Sequence, residues 1–198
     1  MTAGLIDQAI AQVRDLIGAA RAAGDVEPAA MTLATCDAHG RVSARIVLLK
    51  ELDERGFAFY TNYESAKATH LREHRSAALC LHWKTLRDGV QVRAEGIVEK
   101  TSAQESDAYF ATRARASQIG AWASLQSRTL PDRATLDARI AQYEREFEGR
   151  AVTRPPHWGG YRLVPDMIEL WYGQRARLHD RIRYERVDGA WTKRLQYP

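Results

Sequence analysis

Short strand-like runs joined by tight turns occupy the first half of the chain, and they limit the folds open to it. The run MTLATC (31–36) is followed by the turn residues DAHG and then by VSARIVLLK (42–50), which is the pattern of a β-hairpin. Further strands are predicted at FAFYTN (57–62), AALCLHW (77–83) and VQVRAEGIVEK (90–100). Because short turns connect antiparallel neighbours, this pattern predicts an antiparallel meander or barrel.

Helices are predicted on either side of these strands. Apolar residues at three-four spacing near the N-terminus, with Gly24 as the stop, predict a helix within residues 1–24 that packs on the core. A short helix is predicted over 65–74, one with a capping box over 102–113, and a longer amphipathic one over 131–149. The tail then returns to strand-like runs, which are WGGYRLV, MIELWYG, RIRYERV and WTKRLQY.

Length and composition indicate one globular domain. The chain has 198 residues, of which 45% are hydrophobic and 27% charged, and no Gly/Ser-rich linker divides it, so we expect a single domain over 1–198. Cys36 and Cys80 stand far apart in apolar contexts, which favours buried free thiols in the cytoplasm over a disulfide framework or a metal site. Neither a targeting segment nor an apolar run of about 18 residues is present, so we expect no membrane association.

The charge balance bears on the class of ligand. The formal net charge is +4 and the pI is near 9.2, which admits nucleic acid as a partner. The arginines are dispersed, however, and their densest stretch, 175–186, also holds Asp180 and Glu185. Because the chain has no helix-turn-helix or RNP signature, we expect no nucleic-acid partner and favour a pocket for a small anion.

One polar group of residues has the composition of a phosphate site. Hydroxyls, a lysine and helix N-terminal amides suit a phosphate, and they occur where the strand at 57–62 leads into the next helix. The residues are Tyr60, Thr61, Ser65 and Lys67. Nearby, Arg45 and Lys50 flank the run IVLL, which is predicted to be buried, and strand alternation places them on opposite faces unless the strand bends. The alternative is a solvated strand end with Ser65 as an ordinary helix N-cap.

A second such group combines Tyr109, Arg113 and Ser117. Tyr109 and Arg113 are four residues apart on one helix face, and Ser117 follows the predicted end of that helix. A phenol, a guanidinium and a hydroxyl can bind a second phosphate, and the alternative is an i,i+4 surface pair. Trp122 is predicted to lie in the core. His179 stands between charged neighbours, which by itself favours a surface histidine.

A series of short stretches resembles the pyridoxamine 5′-phosphate oxidase family in order and spacing. They are RIVLLK (45–50), FYTN (59–62), QVRAEG (91–96), YF (109–110), R…SQIGAWAS…QS (113–127), RPPHWGGYRL (154–163) and RLHDR (177–181). The resemblance implies a mainly β fold, the FMN-binding split barrel, which is an antiparallel split β-barrel with flanking α-helices. It also implies a homodimer with two FMN sites at the interface, each built from both chains.

The resemblance assigns roles to residues by position. It implies that FMN is bound by Arg45, Ile46, Val47, Leu48, Leu49, Lys50, Tyr60, Thr61, Lys67, Gln91, Gln126, Ser127, Trp171 and Arg181. It implies that substrate is bound by Lys50, Tyr109, Arg113, Ser117, Arg177, Leu178 and His179. Of these, Arg177 and His179 are the implied catalytic residues.

The implied reaction is oxidation of pyridoxamine or pyridoxine 5′-phosphate to pyridoxal 5′-phosphate, with oxygen as the electron acceptor and hydrogen peroxide as a product. The chain departs from the family at Ala66, where arginine is common, at Val90, and in a longer turn at 86–89. The Ala66 departure predicts weaker FMN binding, because one phosphate contact is missing. Three alternatives remain, which are a flavin oxidase acting on another ring such as a phenazine precursor, a flavin- or pyridoxal-phosphate-binding protein without turnover, and a nucleic-acid module.

Overall fold

Nine antiparallel strands form one sheet in the computed structural model, which describes residues 4–198. The strands are β1 (Ala30–Cys36), β2 (Val42–Leu48), β3 (Glu51–Asp53), β4 (Gly56–Asn62), β5 (Ser76–Trp83), β6 (Val90–Lys100), β7 (Trp158–Tyr172), β8 (Asp180–Val187) and β9 (Ala190–Gln196). The helices are α1 (Leu5–Ala22), α2 (Ala66–Glu73), α3 (Ala103–Thr112), α4 (Arg115–Ala123) and α5 (Arg133–Glu146), with a 3₁₀ turn at Arg175–Arg177. The predicted antiparallel, mainly β fold with flanking helices is therefore confirmed.

The sheet divides at β7. Along the main path the strand order is β2-β1-β5-β6-β7-β4-β3. One edge of β7 pairs with β6 over nearly its whole length, while the other edge pairs first with β4 and then with β8. Strand β9 pairs only with β8. This branching opens the barrel on one side and gives β7 contacts with both halves of the chain.

Strand β7 differs from the prediction of two separate runs, WGGYRLV and MIELWYG. The runs form one continuous strand across Pro165, because a bulge absorbs the residue that cannot donate a backbone hydrogen bond. Gly96 pairs with Pro165 whereas Glu95 pairs with Met167, so β7 has one extra residue there. A Cβ on Gly96 would lie 2.1 Å from the Val164 carbonyl oxygen, so only glycine permits this approach.

Two hydrophobic clusters support the structure. The larger lies within the sheet and beneath α1, which contributes Ala9, Ile10, Val13 and Ala20, while Met1, Thr2 and Ala3 of the predicted 1–24 segment lie outside the described residues. The smaller cluster, here called the helical cluster, joins α3, α4 and the segment after α5 to the start of β7. Its buried members are Phe110, Ile119, Ala121, Phe147, Val152 and Trp158. A cleft therefore lies between the sheet and the helical cluster.

The prediction that the IVLL run is buried is correct only for Leu49, since Val47 and Leu48 are half-buried and Ile46 is exposed. Ile46 is 62% exposed, and Val42 on the same strand is 74% exposed. Strand β2 is the terminal strand of its sheet edge and pairs only with β1, so nothing in the described chain covers its outer face. Cys36 and Cys80 are free, as expected, but are half-buried rather than buried.

Candidate functional site

A cavity of about 740 Å³ occupies the cleft between the sheet and the helical cluster. Its lining residues are Arg45, Ile46, Val47, Leu48, Lys50, Tyr60, Thr61, Asn62, Lys67, Tyr109, Arg113, Ala114, Ser117, Gly120, Ala121, Ser124, Gln126 and Trp158. Volumes of about 300–1,000 Å³ are usual for small-molecule sites. No carboxylate lines this cavity in the described part of the chain, whereas four cationic side chains do. The cavity is therefore suited to an anionic ligand.

Lys67 anchors one end of the cavity. It stands in the first turn of α2, is only 8% exposed, and donates from Nζ to Thr61 Oγ1 (3.1 Å), Ser65 Oγ (3.2 Å) and Gln126 Oε1 (3.2 Å). Burial, and then the nearby charge of Arg45, lower the pKa of Lys67 to about 8. A buried ammonium with only neutral acceptors gains most from an anion beside it.

The Ser65 side chain does not act as the ordinary helix N-cap that the alternative interpretation predicts. It occupies the N-cap position of α2, but its hydroxyl makes no capping bond. Instead it donates to the Asn62 carbonyl oxygen at 2.8 Å and accepts from Lys67. The hydroxyl therefore orients the lysine rather than the helix end.

Arg45 and Lys50 both line the cavity, because the chain turns between them. Strand β2 ends at Leu48, and the Lys50 backbone N–H donates to the Ala58 carbonyl oxygen at 2.9 Å. This turn removes the opposite-face arrangement that a straight strand would impose. The Arg45 Nη1 donates to the Leu33 carbonyl oxygen (3.0 Å) and Thr35 Oγ1 (2.8 Å), and burial lowers its pKa.

A stack of aromatic rings forms the other end. The Tyr60 and Tyr109 rings lie 4.0 Å apart at 19°, and the Trp158 ring lies 5.6 Å from Tyr60 at 14°. The Arg113 guanidinium sits 4.6 Å over the Trp158 ring. Burial lowers the pKa of Arg113, and its buried Nη1 has no hydrogen-bond partner within residues 4–198. An unpaired buried guanidinium N–H is a vacant donor for an anion.

The predicted residues fall into two places. The cavity brings together Arg45, Ile46, Val47, Leu48, Lys50, Tyr60, Thr61, Lys67, Tyr109, Arg113, Ser117 and Gln126. Leu49 instead packs in the larger hydrophobic cluster, and Ser127 follows Gln126 in a left-handed conformation outside the lining. Sequence reasoning missed Trp158, although the HWGG motif contains it. Trp122, predicted to be core, packs on Tyr143 and Phe147 of the helical-cluster side.

The other predicted residues form a separate group on the sheet, here called the sheet group. Its members are Gln91, Trp171, Arg177, Leu178, His179 and Arg181. Gln91, Trp171 and Arg181 are cross-strand neighbours on β6, β7 and β8. The His179 ring lies 4.4 Å from the Trp171 ring, and Arg177 and Leu178 are exposed. None of the sheet group lines the cavity of its own chain.

Hydrogen bonds fix the sheet group. The Arg181 guanidinium donates to Glu169 Oε2 at 2.8 Å and to the Tyr197 carbonyl oxygen at 3.1 Å. The Gln174 backbone N–H donates to His179 Nδ1 at 3.2 Å, so a neutral His179 carries its proton on Nε2. Within residues 4–198, no helix is long and apolar enough to span a membrane, and no group of acidic, histidine and cysteine side chains is arranged to hold a metal.

Two family models match this sequence. The model described as "Pyridoxamine 5'-phosphate oxidase" matches residues 19–146, and "Pyridoxine 5'-phosphate oxidase C-terminal dimerisation region" matches residues 158–198. Among curated relatives, a protein of Xanthomonas oryzae pv. oryzae is 54% identical over 197 residues, covering 98% of each chain. One of Ralstonia pickettii is 58% identical over 164 residues, covering 82% of this chain and 76% of the relative. Both relatives are named pyridoxine/pyridoxamine 5′-phosphate oxidase.

Two solved structures resemble the fold. The crystal structure of PhzG from Burkholderia lata 383, in complex with tetrahydrophenazine-1-carboxylic acid, has a TM-score of 0.89 and 33% identity, covering 96% of this chain and 92% of that one. A pyridoxamine 5′-phosphate oxidase-related, FMN-binding protein from Nostoc punctiforme has a TM-score of 0.73 and 17% identity, covering 100% of both chains. The second likeness concerns the fold alone.

Proposed function

This chain belongs to the pyridoxamine 5′-phosphate oxidase family and is an oxidoreductase, and we propose that it oxidises pyridoxamine and pyridoxine 5′-phosphates to pyridoxal 5′-phosphate with FMN as cofactor. For the amine, substrate, oxygen and water give the aldehyde, ammonia and hydrogen peroxide. When bound, FMN supplies the two-electron acceptor that oxygen regenerates. The enzyme serves vitamin B6 synthesis and salvage, and its free cysteines accord with a cytoplasmic location.

One observation carries the proposal, which is that a single cavity, without carboxylates among the described residues that line it, brings together four cationic side chains. Lys67, oriented by the Ser65 hydroxyl, would hold the phosphate of FMN together with Arg45 and the Thr61 hydroxyl. Arg113, with Tyr109 and Ser117, would hold the phosphate of the substrate. The vacant Arg113 Nη1 and the depressed Lys67 pKa both fit a site whose charges are completed by ligand.

A homodimer would complete each site. We propose that the sheet group of one protomer meets the cavity of the other, which accounts for predicted residues that lie outside their own cavity. The match of residues 158–198 to a dimerisation region supports this, and so do the exposed apolar side chains Ile46, Leu178 and Leu195. We also propose that residues 1–198 form one domain, because β7 of the C-terminal region pairs with β4 and β6.

Arg177 and His179 are the proposed catalytic residues. With Nδ1 occupied by the Gln174 N–H, the His179 Nε2–H is free to donate to the phenolic oxygen of the substrate ring. The Arg177 guanidinium would polarise the same ring and help to hold its phenolic oxygen. The exposed position of Arg177 in one chain fits a side chain that acts in a site shared with a partner.

Anaerobic addition of pyridoxamine 5′-phosphate to the FMN-loaded protein tests the proposal. We expect the visible flavin band to bleach and then to recover when air is admitted. Hydrogen peroxide should form during the recovery. A flavin that binds and stays oxidised would refute the substrate assignment while leaving the cofactor assignment intact. A protein that retains no flavin would refute both.

A second candidate is oxidation of a phenazine precursor, which the likeness to PhzG favours. The two functions differ in their need for a phosphate on the substrate. Steady-state assays should compare pyridoxamine 5′-phosphate, pyridoxamine and tetrahydrophenazine-1-carboxylic acid. We expect the phosphorylated compound to have the highest kcat/KM, and a higher value for tetrahydrophenazine-1-carboxylic acid would favour the second candidate.

A further inference from the structure

A cluster of ionic side chains around one buried arginine lies behind the aromatic end of the cavity, and the reaction proposed above does not use it. Its centre is Arg162 on β7, which is only 2% exposed. The guanidinium donates to Asp53 Oδ1 (2.8 Å), Glu51 Oε2 (3.3 Å) and Glu105 Oε1 (3.2 Å). Arg55 closes the cluster from outside by bridging Asp53 and Glu105. The cluster thereby ties β3, β7 and α3 together.

One member of the cluster reaches the cavity lining. Glu51 uses its second oxygen, Oε1, to accept a hydrogen bond from the Tyr60 hydroxyl at 2.7 Å. Arg162 thus holds one carboxylate oxygen while Tyr60 holds the other. Arg162 is buried, whereas the Glu51 side chain is 37% exposed, and displacement of Glu51 would break both its contact to Arg162 and its contact to Tyr60.

Tyr60 connects Glu51 to the stack of aromatic rings. Its ring lies against Tyr109 at 4.0 Å, and the Tyr109 and Trp158 planes are within 8° of parallel. Arg113 lies over Trp158, with its unpartnered Nη1 in the buried interior. A contiguous chain of contacts therefore runs from Arg162 through Glu51 and Tyr60 to the guanidinium.

We propose that Glu51, held by Arg162, is a positioning residue that fixes Tyr60 and through it the aromatic stack carrying Tyr109 and Arg113. This inference rests on the proposed function, since it gives the stack the task of binding the substrate phosphate. Phosphate is bound in the ground and transition states alike, so a loosened stack weakens binding without slowing the chemical step. Glu51 should therefore set affinity for phosphorylated ligands rather than kcat.

The test compares Glu51→Ala with Glu51→Gln. Alanine removes both contacts. Glutamine can keep both, because its amide oxygen accepts from Arg162 and its amide nitrogen donates to the Tyr60 oxygen. Arg55→Gln is the matched control, since Arg55 belongs to the same cluster but does not contact Glu51. Thermal unfolding shows whether each variant folds.

Two readouts keep this test separate from the proposed function. Titration with pyridoxal 5′-phosphate, the product, measures affinity without turnover, and steady-state kinetics with pyridoxamine 5′-phosphate separates KM from kcat. For Glu51→Ala we expect about a tenfold rise in both Kd and KM, with kcat within about twofold, since a hydrogen-bonded charge is involved. Glu51→Gln and Arg55→Gln should stay within about twofold of the wild type in each.

Several results would overturn the inference. They are an unchanged Kd in folded Glu51→Ala, an equal loss in Glu51→Gln, an equal loss in Arg55→Gln, or a fall in kcat alone. If the wild type binds pyridoxal 5′-phosphate but does not oxidise the amine, the proposed function fails. The Kd comparison would still decide whether Glu51 positions the stack.

Discussion

Replacing Arg113 by alanine should raise KM for pyridoxamine 5′-phosphate while leaving kcat nearly unchanged. Arg113 has a buried Nη1 without a partner in residues 4–198, so its hydrogen-bonding capacity is available to ligand. One charge-assisted hydrogen bond contributes about 1.5–3 kcal/mol, which corresponds to a rise in KM of about 10- to 100-fold. Arg113→Lys should recover only part of the loss, because an ammonium lacks the planar fork of donors.

In the ligand-free protein, we expect Arg113 to contribute little or nothing to stability. A buried guanidinium without a counter-ion costs stability, and burial already lowers the pKa of Arg113. Arg113→Met keeps an apolar stem over Trp158, so the ligand-free free energy of unfolding should fall by no more than about 1 kcal/mol.

The assay is steady-state kinetics with the FMN-loaded protein, together with urea unfolding of the ligand-free protein. Arg133→Ala serves as the control, because Arg133 is an exposed residue paired with Asp137 on α5 and lies outside the cavity lining. A large loss of kcat with unchanged KM in Arg113→Ala would refute the phosphate-binding role. A loss of unfolding free energy in Arg113→Met well above about 1 kcal/mol would refute the argument that the guanidinium lacks a partner until ligand binds.

Four further predictions concern the site. Because the pKa of Lys67 is about 8 in the ligand-free protein, lowered from 10.5, FMN affinity measured by flavin fluorescence should fall as the pH rises through 8, and Lys67→Met should abolish this dependence. The free energy of unfolding of the ligand-free protein should change with pH in the opposite direction. Between pH 8 and 10.5 the unfolded chain binds more protons at Lys67 than the folded chain does, so the contribution of this residue to stability rises with pH. Urea unfolding at several pH values measures this change. Arg177→Ala and His179→Ala should lower kcat while the absorbance of bound FMN persists, and loss of flavin would instead make these residues structural. Arg113→Ala and His179→Ala protomers should each have a low kcat/KM by themselves. Mixing them should restore about a quarter of wild-type kcat/KM after subunit exchange if sites combine two chains, and no recovery would place each site within one chain.

Much of the fold follows from local sequence patterns. The strands from 31 to 100 alternate or run apolar between turn residues, and the structure forms them as β1, β2, β4, β5 and β6. Helix α4 was not predicted, because SQIGAWAS is short, has few charges and contains Gly120. The continuity of β7 across Pro165 was also not predictable, since it depends on Gly96 of a distant strand.

The site was predictable in chemistry but not in geometry. Tyr60, Lys67, Tyr109 and Arg113 were candidates from their residue types, and the resemblance gave them roles. The Glu51 contact to Tyr60 and the three-carboxylate surroundings of Arg162 were not apparent, because β3 has only three residues and Arg162 lies 111 residues from Glu51 in sequence. Spatial convergence of this kind has no local signal.

The separation of the two hydrophobic clusters has a consequence for how such a chain diversifies. The larger cluster is the core of the sheet, whereas the helical cluster forms one wall of the cavity through α3 and α4. Substitutions in α4 can therefore alter the shape of the wall, while the strand ladder that determines the fold keeps its own core. Residues 114–124 comprise α4 and its two capping residues. A library of substitutions confined to them should yield folded proteins with an altered preference among substrate rings more often than a library drawn from β4 or β7.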